Sequence, residues 1–185
     1  AAIYFLALDI SDPSSPSLAD SSSLSGSTAV DVDGGWAYVT TSVGGVIVYD
    51  VSDPTQMDLR YPGDTDGTGS DLVASGTHVY LADGGGGLRI FNVTSPSSPF
   101  EVGYIDTPGL GQGIAVSGRY VYLAEIQEGL RIVDVNDPTQ PVDIGSFYSY
   151  STTPGVAVSV ARQEGTTVEH YESRRMREMK DALMP

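Results

Sequence analysis

Segments of this chain recur at a spacing of about 42 residues, and this period constrains the fold more than any other feature. Four prolines that end one recurring segment stand at steps of 41, 42 and 42 residues: Pro13, Pro54, Pro96 and Pro138. Tyrosines and glycines form two further ladders with the same step: Tyr38, Tyr80 and Tyr122; Gly34, Gly76 and Gly118. A fixed period of this length is typical of architectures in which each repeat is one supersecondary unit.

Each period reads as four short strands, which we label A to D in chain order. In the last full period the predicted strands are 113–116, 120–124, 130–135 and roughly 142–147. Gly118, Gly129 and Pro138 lie in the connections, and glycine and proline favour tight turns. No helical pattern interrupts the period. A four-stranded antiparallel meander that repeats in this way is a propeller blade, so the sequence predicts an all-β fold, a β-propeller.

The C strands carry a family resemblance. Residues 46–50 read VIVYD and residues 130–134 read LRIVD, which resembles the repeat of the LVIVD family. The DVNDP segment at 134–138 and the DTPG turn at 106–109 are also similar to that family, and the resemblance covers about residues 3–159. It implies a β-propeller of bacterial or archaeal surface or exported proteins, and it implies no defined activity.

The strand count leaves the closure of the ring open. A C and a D strand come first, three full A–D sets follow, and residues 155–159 give one further A strand. Either the chain is part of a larger ring, which would favour self-association, or four blades close when the first C and D strands complete the last blade. Closure needs one more B strand, and GTTV at 165–168 weakly resembles GTHV at 76–79.

Charge divides the chain near residue 160. Residues 1–160 hold 19 acids, four arginines and no lysine, and therefore carry the whole net charge of −15. Residues 161–185 hold five acids and five bases. We expect 1–160 to form the blades and 161–185 to form a tail, for which two interpretations stay open: a closing strand followed by a helix over 169–183, or sequence that is foreign to the propeller or read in a changed frame.

Composition excludes several classes of protein. Without cysteine there are no disulfides, thiolate metal sites or cysteine nucleophiles. The negative charge disfavours nucleic acids and anionic membranes, and no apolar run reaches the roughly 18 residues of a membrane span. An acidic body without lysine is typical of secreted or salt-adapted surfaces. We therefore expect an extracellular or cell-surface protein.

Acidic residues collect at one end of the predicted blades, because successive turns of a meander alternate between the two ends. The B–C turns and D–A links share one end, and they contain Asp64, Asp66, Asp83, Asp106, Glu125 and Glu128. Grouped carboxylates are the ligands that Ca²⁺ prefers, which makes these residues candidate metal ligands. The simpler interpretation is a solvated acidic rim with no cofactor.

The segment 64–71, DTDGTGSD, is the best local match to a Ca²⁺ loop. An EF-hand loop needs glutamate at its twelfth position, however, and Ser75 stands there. Asp64 also aligns with Asp106 one period later, which favours an ordinary D–A link.

Catalytic motifs are weak. Only His78 and His170 could serve a Ser–His–Asp triad, and no G-x-S-x-G elbow accompanies them. The glycine run 84–87 leads into a strand, whereas a phosphate site needs a helix N-terminus. The sequence favours a non-enzymatic exported propeller that binds protein or carbohydrate at its acidic face, or acts as a scaffold. Two alternatives stay open: a carbohydrate-active enzyme with acidic residues at the channel mouth, and a structural surface-layer component bridged by cations.

Overall fold

The computed structural model describes residues 4–65 and 67–148, and these residues form β-strands joined by short turns. The strands of this described part are β1 Tyr4–Asp9, β2 Ser17–Ser23, β3 Ser27–Asp33, β4 Trp36–Thr41, β5 Val46–Asp50, β6 Asp58–Pro62, β7 Asp71–Ser75, β8 His78–Ala82, β9 Leu88–Asn92, β10 Phe100–Ile105, β11 Leu110–Ser117, β12 Tyr120–Ile126, β13 Gly129–Asp134 and β14 Val142–Phe147.

Within residues 4–65 and 67–148, the strands form three complete antiparallel blades and one pair of strands that belongs to a further blade. We call β1–β2 blade I, β3–β6 blade II, β7–β10 blade III and β11–β14 blade IV; in each complete blade the strands pair in chain order. The predicted A–D pattern is confirmed. Strand A of blade IV begins at Leu110 rather than at residue 113, because a bulge between Gly111 and Gly113 lets the strand continue to pair with β12.

The glycine ladder marks the A–B turns. Gly34, Gly76 and Gly118 have φ angles of 57°, 62° and 59°. Side chains rarely adopt this left-handed backbone, so glycine relieves the strain at the same point of each blade.

The recurring aspartates of the C–D turns have a local structural role. The carboxylates of Asp12, Asp53 and Asp137 each accept a hydrogen bond from the backbone N–H two residues later, at 3.0, 2.9 and 3.0 Å. Side-chain and backbone hydrogen bonds from these partners, the side-chain bond being the stronger cause, lower the pKa of all three carboxyl groups. The A–B turns pack beside the C–D turns: the Val135 N–H donates to the Arg119 carbonyl at 2.8 Å.

Hydrophobic side chains fill the spaces between adjacent blades. Tyr38 of blade II packs with Leu72 and Leu81 of blade III, and Tyr80 of blade III packs with Leu123 of blade IV. The buried tyrosine ladder therefore packs blade against blade. The A strands also contact each other: the Asp31 carboxylate accepts a hydrogen bond from the Ala74 N–H at 2.8 Å.

Several expectations fall on other parts of the chain. The strands at 155–159 and 165–168, the boundary near 160 and the helix over 169–183 lie outside the described residues. Within the described residues, no helix is long and apolar enough to cross a membrane.

Candidate functional site

The B–C turns and D–A links do share one end of the blades, which we call the B–C end, but its acidic residues differ in exposure. Asp64 and Asp106 are exposed, as expected for a solvated rim, and Glu128 is partly buried. Asp83 and Glu125 are 0% and 2% exposed, so the expectation of a solvated rim is wrong for these two. Asp66 lies outside the described residues. The end of the blades therefore has exposed acids above buried ones.

In blade III, Asp83 belongs to a group that we call the Arg89 cluster, with Arg89, Glu101 and Asp106. Asp83 follows β8, and Arg89 stands on β9 across the B–C turn. The Arg89 Nε lies 3.8 Å from Asp83 Oδ2, and its terminal nitrogens lie 3.6 Å from Glu101 and 4.0 Å from Asp106. The Thr65 hydroxyl donates a 3.0 Å hydrogen bond to Asp83 Oδ1, whereas Oδ2 and Arg89 Nε have no hydrogen-bond partner among the described residues.

Burial is the largest influence on the pKa of Asp83. It raises the pKa of this carboxyl group, because the ionised form loses its hydration; the hydrogen bond from Thr65 and the charge of Arg89 oppose the shift. The nearby Glu101 carboxylate adds to it. Asp83 is thus a buried acid that its arginine stabilises incompletely.

In blade IV, the Arg131 cluster consists of Arg131, Glu125 and Asp143. Arg131 Nε donates to Glu125 Oε2 at 2.9 Å, and Arg131 Nη1 donates to Asp143. Burial is the largest single influence on Arg131 and opposes its charge, but the hydrogen bonds and charges of Asp143 and Glu125 together outweigh it and raise the pKa of Arg131. The Glu125–Arg131 pair is buried, whereas Asp143 is partly exposed and Glu125 Oε1 has no hydrogen-bond partner among the described residues.

The two clusters are repeat equivalents. Asp83 and Glu125 stand 42 residues apart, as do Arg89 and Arg131, while blade II has Thr41 and Ile47 at these positions. Sequence reasoning identified the acids and missed the arginines. The signal was present, since an arginine stands near the start of strand C in both blades that have an acid at the B–C end of strand B.

The arrangement has the chemistry of structural ion pairs. Among the described residues, no three His, Asp or Glu side chains converge on a point where they could hold a metal ion. The predicted Ca²⁺ ligation by Asp64, Asp66, Asp83, Asp106 and Glu125 stays a prediction. His78 begins β8, at the other end of the blade from Asp83, and its Nδ1 lies 3.1 Å from the Thr77 hydroxyl.

Asp71, the last residue of the Ca²⁺-like segment, is occupied by a structural contact. Its carboxylate accepts hydrogen bonds from the Leu72 N–H at 2.9 Å and the Ile114 N–H at 3.0 Å. Burial raises the pKa of Asp71 in spite of these bonds, and the charge of Asp31 adds to the shift. Asp71 therefore joins the A strands of blades III and IV.

Stacked four-stranded blades with a shared register define this chain as a propeller-type repeat protein. The model of the LVIVD repeat matches it four times, at residues 3–23, 26–65, 66–107 and 108–149. The chain belongs to the LVIVD repeat family, and each match corresponds to one of the blades I to IV. No curated protein matches the sequence.

Solved structures with the same fold have low sequence identity. A functionally unknown protein from Desulfotomaculum acetoxidans is 14% identical with a TM-score of 0.69; the match covers 84% of this chain and 52% of that one. The computationally designed Ika4 protein is 12% identical with a TM-score of 0.59, over 76% and 83% of the two chains. This chain thus spans about half the length of the Desulfotomaculum protein. At such identities the likeness shows the fold alone.

Proposed function

We propose that this chain is a non-enzymatic, exported β-propeller that acts as a binding or scaffold module. One observation carries the proposal: the buried acids of the B–C end are held by partners inside the blades. Glu125 is paired with Arg131 at 2.9 Å, and Asp83 accepts a hydrogen bond from Thr65 and faces Arg89. Shifted pKa values also occur in structural ion-pair networks, and these acids have the contacts of such a network.

The ligand surface in this proposal is the exposed part of the B–C end. Asp64 and Asp106 come from equivalent D–A links 42 residues apart, so neighbouring blades present the same charge in the same place. Basic groups of a protein and hydroxyl groups of a carbohydrate are complementary to such a surface. Polyanions are repelled by it.

A glycan microarray probed with the whole chain tests the carbohydrate form of this proposal. The test variant is Asp64→Asn with Asp106→Asn, and the matched control is Asp12→Asn with Asp53→Asn at the C–D end. Asparagine should keep these turns, since an amide oxygen accepts the same kind of bond three residues before the equivalent position in blade III, where Asn92 Oδ1 accepts from the Thr94 N–H at 3.0 Å. We expect only the test variant to lose binding. Binding that survives in both variants would contradict the B–C end as the ligand surface.

Release of reducing sugar separates this proposal from the enzyme alternative. We expect none when the chain is incubated with the oligosaccharides that it binds. Release that Glu125→Gln or Asp83→Asn abolishes would make these acids catalytic and would contradict the proposal. Export is tested separately: in a cell that expresses the complete protein, external protease should digest it while the cell remains intact.

A further inference from the structure

Arg89 of blade III is partly buried, and its guanidinium group has hydrogen-bond donors that the described residues do not use. Its side chain is 19% exposed. Its nitrogens lie 3.8 Å from Asp83, 3.6 Å from Glu101 and 4.0 Å from Asp106, and each distance exceeds the limit of about 3.2 Å for an N–H···O hydrogen bond. The guanidinium group is thus surrounded by acids and still has N–H groups for a ligand.

The equivalent arginine of blade IV uses its donors internally. Arg131 and Asp143 follow Arg89 and Glu101 by 42 residues. Arg131 donates to Glu125 at 2.9 Å and also to Asp143, and its side chain is 9% exposed. Blade II has isoleucine and leucine at the positions of Arg89 and Glu101. Among these three blades, an arginine with unused donors therefore occurs in blade III alone.

An exposed aromatic ring stands beside this arginine. Tyr104 lies opposite Arg89 on β10, and the Arg89 Cζ atom lies over the ring, 4.8 Å from its centroid. Tyr104 is nevertheless 55% exposed. Blade IV has serine and blade II has proline at this position. The cation–π contact orients the ring, and a tyrosine that is open to solvent offers a rigid surface for stacking.

The groups around Arg89 are complementary to a neutral sugar. Three carboxyl groups surround one guanidinium group, so an anionic ligand is opposed, while a cationic one would meet the arginine. A guanidinium group only donates hydrogen bonds and a carboxylate only accepts them, whereas a sugar hydroxyl does both. Glu101 and Asp106 have side chains that are 34% and 74% exposed, so both can be reached from solvent. A sugar ring also has a face of C–H groups that stacks on an aromatic ring.

We propose that Arg89, Glu101, Tyr104 and Asp106 form a subsite for a neutral sugar unit with adjacent hydroxyl groups. Tyr104 stacks on the C–H face of the sugar, Arg89 donates to one hydroxyl oxygen, and the two carboxylates accept from hydroxyl groups. This inference rests on the carbohydrate form of the proposed function and extends its ligand surface from Asp106 outward along blade III. Complete blades lie on both sides of this subsite.

Two substitutions of Tyr104 test the subsite on a microarray that carries neutral, sialylated and sulfated oligosaccharides. Tyr104→Ala should weaken binding of the whole chain to neutral glycans by about tenfold, because the stacking surface is lost. Tyr104→Phe keeps the ring and should stay within about twofold of wild type. Arg89→Lys keeps the charge but loses the planar fork of donors, so it should weaken binding as well.

The matched control is Tyr120→Ala. Tyr120 also has an arginine over its ring, with the Arg119 Cζ atom 5.2 Å from the centroid, but it begins β12 at the other end of its blade. We expect this variant to bind as wild type does. Equal weakening by Tyr104→Ala and Tyr120→Ala, or none by Tyr104→Ala, in folded protein would overturn the subsite.

Two further outcomes separate the subsite from the proposed function. Binding that Asp64→Asn with Asp106→Asn abolishes while Tyr104→Ala leaves it intact would keep the B–C end as the ligand surface and overturn the subsite. A wild-type chain that binds no neutral glycan would overturn the subsite and the carbohydrate form together, and the proposed function would then depend on a protein ligand.

Discussion

The Arg89 and Arg131 clusters occupy the same position in neighbouring blades and distribute their hydrogen bonds in opposite ways. In blade III, Asp83 accepts from Thr65 and stays 3.8 Å from its arginine. In blade IV, Glu125 binds Arg131 at 2.9 Å, and the hydroxyl of Thr107, the equivalent of Thr65, is buried without a hydrogen-bond partner among the described residues. Asp83 thus connects blade III to the D–A link that precedes it, whereas Glu125 connects strands B and C of blade IV.

Side-chain length accounts for the difference. Glutamate is one methylene longer than aspartate, so Glu125 reaches the guanidinium across the B–C turn, whereas Asp83 remains beside Thr65. The repeat sets which backbone positions face each other, and the length of the acid decides which partner it binds. Removing Glu125 breaks a buried ion pair and leaves the charge of Arg131 poorly compensated, which should lower the free energy of unfolding substantially. Removing the Asp83 carboxylate, which lies farther from its arginine, should lower it less.

The largest effect is expected for Glu125→Gln. It removes the negative charge beside Arg131 Nε, so that Asp143 is the one carboxylate left to Arg131 among the described residues, and should lower the free energy of unfolding by about 3 kcal/mol. Urea denaturation followed by circular dichroism measures this value. Glu128→Gln, in the same turn, is the control and should change it by less than about 0.5 kcal/mol; equal losses would contradict a special role for Glu125.

Glu125→Asp should convert blade IV to the arrangement of blade III. The shorter acid withdraws from Arg131 and approaches the Thr107 hydroxyl, so we expect a loss of about 1–2 kcal/mol. The same denaturation experiment should place this variant between wild type and Glu125→Gln. A loss as large as that of Glu125→Gln would show that the threonine offers no compensation.

Asp83→Asn should cost less than about 1 kcal/mol at pH 7, because it keeps the oxygen that accepts from Thr65. The comparison with wild type also depends on pH. The raised pKa of Asp83 means that its protonated form favours folding, so its contribution to stability is complete below the ordinary value of 3.8 and is lost as pH rises through the raised pKa.

Unfolding measured between pH 4 and pH 7 checks the sign. Wild type should gain stability relative to Asp83→Asn as pH falls across this range. Asp53→Asn is the control, since the lowered pKa of Asp53 gives a contribution that is present above 3.8 and is lost only as pH falls through the lowered value; its difference from wild type should therefore stay nearly constant across this range. A wild type that loses stability relative to Asp83→Asn on acidification would contradict the assignment.

The smallest effect is expected from salt on the stability that the two clusters contribute. The acidic surface predicts that the Tm of every variant rises toward 1 M NaCl, where the Debye length is about 3 Å. The difference in Tm between wild type and Glu125→Gln should persist, because the Glu125–Arg131 pair is buried. Thermal melts in NaCl, and in Ca²⁺ and Mg²⁺ at matched ionic strength, test both points. A shift selective for Ca²⁺ that Asp64→Asn abolishes would instead support a metal site.

Sequence periodicity predicted the blades because turns and apolar strands repeat at the backbone level. Gly118 must adopt a left-handed conformation, and Tyr122 must face the next blade, whatever the other side chains do. The site was harder to predict, since the burial of Asp83 and Glu125 depends on packing around the B–C turn that composition does not reveal. The acids were identified from their position in the repeat. Their partners Arg89 and Arg131 could be identified only from the pairing of strands B and C across the B–C turn.

Double-mutant cycles on the two acid–arginine pairs test the central claim, that equivalent positions hold a tight pair in blade IV and a loose one in blade III. One cycle combines Glu125→Gln with Arg131→Met, the other Asp83→Asn with Arg89→Met, each followed by urea denaturation. The contacts predict a coupling of about 2 kcal/mol in blade IV and less than about 0.5 kcal/mol in blade III. Equal couplings, or a larger one in blade III, would contradict it.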